Sequence, residues 1–243
     1  MGVNHSRLRR SCIIVFFVCI QLLCASISVA FPPYKTTDAD TADPYNLELR
    51  LGLVQAEREG GATQYASPLL RANFGFPNKV ELISEFAYLP EEHEFGDGAF
   101  GVKWVPVQGT LSFGIETLAL LPVRPGDNGV GVESQFIATW RSPDQGLQVH
   151  INAGGFHDPR GSEMESGWRA SVLAELIGNS SFRPGIELFT KHTSGQDADI
   201  RLGLGVIKNV GQFEIRTAIQ AGLTDQAPDV VFNIWFSVKI PFR

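Results

Sequence analysis

A histidine two residues from a serine, His192-Thr193-Ser194, is the nearest approach in this chain to a nucleophile with its base. The i, i+2 spacing puts both side chains on one face only if a strand continues through Ser194. Gly195-Gln196-Asp197 follows and reads as a loop that ends the strand near Lys191, so no catalytic residue is assigned. Asp38, Asp40 and Asp43 are the next candidates, for Ca²⁺, but they lack the oxygen spacing of a calcium loop and read as part of a solvated segment. Zinc-ligand spacing, a phosphate-binding glycine loop and a basic-aromatic groove are all missing, so neither a metal nor a cofactor is expected. Asn179-Ser180-Ser181 matches a glycosylation sequon and reads as turn chemistry.

What remains is a long series of charged side chains placed one residue apart from apolar ones. Glu48, Arg50, Glu81, Glu85, Lys103, Glu116 and Glu133 belong to it in the first half. His150, Arg169, Glu187, Arg201, Arg216 and Lys239 belong to it in the second, with Glu175, Lys191 and Glu214 beside them. Charges of both signs on one face of a strand can pair across an enclosed space, since a charge left alone away from water is costly. The same set can also line a polar constriction that selects solutes.

The elements that carry them are strands. Leu47, Leu49, Leu51 and Leu53 oppose Glu48 and Arg50, and Leu147, Val149, Ile151 and Ala153 oppose Gln148, His150 and Asn152. Trp168, Ala170, Val172, Ala174 and Leu176 oppose Arg169, Ser171 and Glu175. The final run is the longest: Phe232, Ile234, Phe236, Val238, Ile240 and Phe242 on one face, Asn233, Ser237 and Lys239 on the other. Thr63 to Phe74 is weaker, because Pro68 and Arg71 disturb the alternation.

From Tyr45 onward about twelve segments of roughly ten residues follow one another, the length and even number of a transmembrane barrel. Short turns such as Gly75 to Asn78 and Asn209 to Gly211 alternate with longer polar loops such as Pro122 to Asn128 and His157 to Met164. In such barrels the short turns are periplasmic and the long loops external. The expected fold is all-β, a transmembrane antiparallel up-and-down barrel of about 12 strands over residues 45–243.

Residues 1–30 read as a cleaved signal peptide, with Arg7, Arg9 and Arg10 before an apolar run and Ser28-Val29-Ala30 at the cleavage site. Residues 31–44 read as an extended, solvated periplasmic leader. All three cysteines lie in the signal, so the mature chain has neither a disulfide framework nor a thiolate metal site. The full chain carries 20 basic and 26 acidic residues, and losing three basic residues with the signal leaves −9. Nucleic acid is therefore not an expected partner. The expected location is the bacterial outer membrane. The expected partners are its lipids and lipopolysaccharide, the barrel-assembly machinery and a small-molecule solute.

Tyr34-Lys-Thr-Thr-Asp-Ala-Asp-Thr41 followed by Asn46-Leu-Glu-Leu-Arg50 resembles the opening of the outer-membrane proteins grouped as transporters of the MetA-pathway of phenol degradation. Glu116-Thr-Leu-Ala-Leu-Leu-Pro122, Pro125-Gly-Asp127 and Ala227-Pro-Asp229 are similar to that family's mid-chain turn and closing strand. Val123-Arg124 and the terminal Arg243 depart from its pattern. The resemblance implies a non-enzymatic channel or uptake barrel for small aromatic or apolar molecules. The other readings are a lipid-modifying barrel similar to lipid A deacylases, which would use His192 and Ser194 with Glu187 or Asp197, and a structural or adhesive barrel.

Overall fold

The computed structural model describes residues 33–58, 62–90, 93–124, 126–161, 164–177 and 182–242. The signal peptide, the sequon and part of the Glu91 to Phe95 loop lie outside these residues. The elements are β1 (Asn46–Arg58), β2 (Ala62–Phe76), a 3-10 turn (Pro77–Lys79), β3 (Val80–Leu89), β4 (Glu94–Val107), β5 (Leu111–Leu121) and β6 (Gly131–Arg141). They continue with β7 (Leu147–Asp158), β8 (Glu165–Leu176), β9 (Phe182–Thr193), β10 (Asp199–Val210), β11 (Phe213–Gly222) and β12 (Val230–Pro241).

Each strand pairs antiparallel with its sequence neighbours, and β1 pairs with β12 from Asn46↔Pro241 to Glu57↔Val230, so the sheet closes into a barrel without a free edge. One rim, called here the near rim, carries Asn46, Pro241 and the connections after β2, β4, β6, β8 and β10, which hold three, three, five, five and two residues. The far rim carries those after β1, β3, β5, β7, β9 and β11, of three, four, nine, six, five and seven. The alternation is thus softer than expected at its start, because the β1–β2 ladder runs on to Arg58↔Ala62 and absorbs residues that read as loop.

Near-rim turns are held by their own side chains. In residues 142–146 the Asp144 carboxylate accepts bonds from the Ser142 hydroxyl and, at 3.1 Å, from the Gly146 amide, which together hold its pKa below the usual range.

The period-two pattern assigns the faces as expected. Outside lie Leu51, Phe100, Trp104, Phe136, Leu204 and Phe236, all exposed. An apolar outer surface of this extent is the face a barrel turns to lipid. At the near rim Phe74 meets Phe76 and Phe242 edge to face, at centroid distances of 5.0 and 5.9 Å, as part of an aromatic girdle. Phe236 is 50% exposed and sits at the middle of β12. Phe236→Arg costs on the order of 2–4 kcal/mol in urea refolding titrations into vesicles. Lys239→Gln, on the inner face near the rim, costs much less. Equal losses from the two would reverse the face assignment.

Candidate functional site

The interior is occupied. Residues 33–44 do not stay in solvent outside the barrel, as their polarity suggests, but run up its inside. A segment without secondary structure has its amides to satisfy, and inward side chains of the strands do this for several of them. The Ala42 amide donates to Glu81 Oε2 at 2.6 Å, the Ala39 amide to Thr139 Oγ1 at 2.8 Å and the Thr37 amide to Asn152 Oδ1 at 2.6 Å. Asn152 returns a bond from Nδ2 to the Thr37 carbonyl at 2.9 Å. Deeper in, Glu187 Oε1 accepts from the Thr36 amide at 2.5 Å and its hydroxyl at 2.7 Å, and Asn233 Nδ2 donates to the Pro33 carbonyl at 2.9 Å.

Packing adds to this. Tyr34 is 2% exposed and lies against Leu173, Ile207 and Ala218. Its ring needs the inward glycines of β9 and β10, since a Cβ at Gly185 would stand 2.6 Å from the phenol oxygen and one at Gly205 would stand 2.7 Å from the ring. Ala39 fits between Val105 and Ile137.

Around the leader the strands carry the charges the alternation singled out, and eleven of those thirteen residues are buried, Glu133 being half-buried and Lys239 exposed. Glu48 accepts from Arg50 at 2.9 Å and from Arg216 at 3.2 Å, and Glu214 meets both Arg216 and, at 3.2 Å, Arg183. Lys103 reaches Asp38 of the leader at 3.2 Å, and Arg141 holds Asp40 in a two-pronged pair at 2.6 and 2.7 Å. Arg169 pairs with Glu133 at 2.6 Å and Arg201 with Asp199. Gln220 donates to Glu187 at 2.9 Å, and Glu85 and Glu116 are each met by an arginine, whereas Lys239 forms no ion pair among the described residues.

His150 sits between Thr139 Oγ1, 2.9 Å from Nδ1, and Glu175 Oε2, 3.1 Å from Nε2. Thr139 Oγ1 also accepts from the Ala39 amide, so the leader, Thr139, His150 and Glu175 form one connected chain of hydrogen bonds.

Arg71, absent from the expected set, is the centre of one cluster. It donates to Asn73 Oδ1 at 2.9 Å, to Glu85, and to Glu116 at 3.4 Å, where Gln135 also donates at 2.9 Å. A register shift between Gly52 and Val54 explains why the alternation of β2 looked broken: Ala66 and Leu69 both face inward, so the phase changes and Arg71 and Asn73 follow on the inner face. Trp235 is likewise inward, flat against Gly52, where a Cβ would come within 2.2 Å of the indole. With Val54, Ala56, Leu69, Ala87, Leu89 and Val231 it forms an apolar inner wall toward the far rim.

The leader leaves one large space at the near rim, a chamber of about 700 Å³ whose lining includes Asp38, Asp43, Glu48, Arg50, Arg183, Arg216 and Lys239. The His192 and Ser194 pair forms no site. β9 runs two residues further than expected, to Thr193, and stops before Ser194. The His192 ring packs on Trp168 at 5.8 Å on the outer surface, and the Ser194 amide bonds to the Ser166 carbonyl.

A closed twelve-stranded antiparallel barrel with an apolar exterior and a charged interior defines the transmembrane β-barrel class. No protein-family model matches the chain, and no curated protein matches it. Solved structures do. The COG4313 outer membrane channel from Pseudomonas putida F1 matches with a TM-score of 0.63 at 11% identity, over 88% of this chain and 100% of that one. The NanC porin matches at 0.59 and 11% identity, over 80% and 100%, and the KdgM porin solved with disordered oligogalacturonate at 0.57 and 11%, over 82% and 99%. At such identity the likeness is one of fold.

Proposed function

We propose that the chain is an outer-membrane channel for small molecules whose lumen is closed by its own leader. The observation that carries this reading is the manner in which residues 33–44 are held. Their bonds run mainly to polar side chains of the lumen wall, groups that water or a solute can satisfy equally well once the leader withdraws. A barrel interior filled for stability alone would be served better by interdigitating apolar side chains, because buried ion pairs add little net stability. Single-channel recording of the refolded protein in planar bilayers tests the proposal; a barrel that never conducts, with or without the leader, removes it.

Aromatic or apolar solutes are the proposed cargo. The family resemblance and the inner wall around Val54, Leu69, Leu89 and Trp235 support that choice. The outer face takes up the lipids, with lipopolysaccharide against the far rim, and insertion uses the barrel-assembly machinery.

The near rim is periplasmic in this proposal. Cysteines placed at Asp127, in the nine-residue far-rim loop, and at Asn78, in a near-rim turn, report on it without interference, since the mature chain has no cysteine of its own. An impermeant maleimide on intact cells labels the first and spares the second. Labelling of Asn78→Cys alone would invert the orientation.

A further inference from the structure

The part of the near-rim chamber formed by β9, β11, β12 and β1 holds more cations than its own carboxylates can use. In register, Glu48 of β1 stands beside Lys239 of β12 and Arg50 beside Ser237, while Ser237 on its other side meets Glu214 of β11. Glu48 is engaged by Arg50 and Arg216, and Glu214 by Arg216 and Arg183, so three guanidinium groups share two carboxylates. Lys239 is a fourth cation, exposed at the rim and in no ion pair among the described residues. Four cations against two carboxylates leave this wall a surplus of two positive charges.

The same wall keeps two donors without acceptors. The Ser237 hydroxyl, on a residue 3% exposed, and Nε of Arg183 are both buried without a hydrogen-bond partner, and both residues line the chamber. Buried polar groups are rarely left so, and a pair of them beside a surplus of positive charge marks a place for an oxyanion. Thr41, Asn46, Asn209 and Gln212 add neutral polar groups to the lining. On the leader side Asp38 and Asp40 are tied to Lys103 and Arg141, and Glu81 accepts from Ala42 and Asn73. Asp43, exposed in the same lining, is the charge that opposes an anion there.

We infer that this wall binds the carboxylate of a small hydroxylated acid, with donors from Lys239, Ser237 and Arg183, and with the neutral polar groups serving its hydroxyls. Charge-assisted bonds favour the carboxylate, and the ion pairs of Glu48 and Glu214 hold the guanidinium groups in place beforehand. The volume of about 700 Å³ falls among those of small-molecule sites, typically about 300–1,000 Å³. The ligand is distinct from the apolar cargo, whose wall lies toward the far rim. The inference goes beyond the channel reading, since binding in the chamber requires no passage.

Titration calorimetry of the detergent-solubilised mature chain with gluconate, sorbitol and N-methylglucamine tests it, because the three probes share one polyol chain and differ in charge. Gluconate binds about tenfold more tightly than sorbitol, and N-methylglucamine more weakly than either. Lys239→Gln and Ser237→Ala each weaken gluconate several-fold, whereas Asp43→Asn tightens it. Circular dichroism shows the first two variants folded, because neither side chain holds a partner in place. Equal affinity for gluconate and sorbitol, indifference to both Lys239→Gln and Ser237→Ala, tighter binding of inorganic phosphate than of gluconate, or no binding of any probe overturns the inference. Conductance is read separately: a conducting barrel that ignores gluconate sinks only this site, and one that binds it but never conducts keeps the site and loses the channel.

Discussion

Deleting residues 34–43 opens the barrel, raising single-channel conductance several-fold and turning its preference toward anions. The sheet does not need those residues: β1 begins at Asn46, and the twelve residue pairs that close it onto β12 all lie beyond the deletion. Lumen groups that lose a leader partner, such as Glu187, Asn152 and Thr139, gain water in its place, at small cost. The segment removed carries Asp38, Asp40 and Asp43 against the single cation Lys35, so the emptied lumen is more positive. Reversal potential in a salt gradient measures the second effect. Unchanged conductance in a folded variant would mean that the leader is not the barrier.

Arg71→Met destabilises the barrel by about 3–5 kcal/mol, because it leaves Glu85 and Glu116 as buried carboxylates facing each other without their shared cation. Urea unfolding in detergent reads the loss. Adding Glu85→Gln and Glu116→Gln to the same chain recovers most of it, since neutral amides remove the repulsion and leave groups that bond readily to water or neighbours. A single variant as stable as the parent would show that the cluster is wet and screened rather than tightly paired.

The strands are legible in the sequence because lipid imposes a uniform demand on one face: Leu47 to Leu53, Leu147 to Ala153 and Phe232 to Phe242 each keep period two without a break. The inner face follows by parity, which is how Glu48, Glu81, Lys103, Glu187 and Arg216 were found. Parity also explains the failure at β2, since one register shift changes the phase, and a single sequence does not mark where a bulge falls. The leader is illegible for a different reason. The amides that tie it to the wall, those of Thr36, Thr37, Ala39 and Ala42, bond to residues 39 to 151 positions away, so the sequence around them does not distinguish a threaded segment from a solvated one. A faint signal does exist on the receiving side: Gly185 and Gly205 occupy inward positions in neighbouring strands, and an inward glycine marks where something else approaches the backbone.

The span of those bonds also sets an order of events during assembly. Ala42 needs β3, Ala39 needs β6, Thr37 needs β7, Thr36 needs β9, and the Pro33 carbonyl needs Asn233 of β12, 200 positions away. No partly built sheet offers all of these, and contacts of such separation are slow to form. Docking of the leader is therefore a late step that follows synthesis and pairing of the last strand. On this order of events, each newly inserted molecule passes through a stage in which the ring is shut and the lumen is not yet filled.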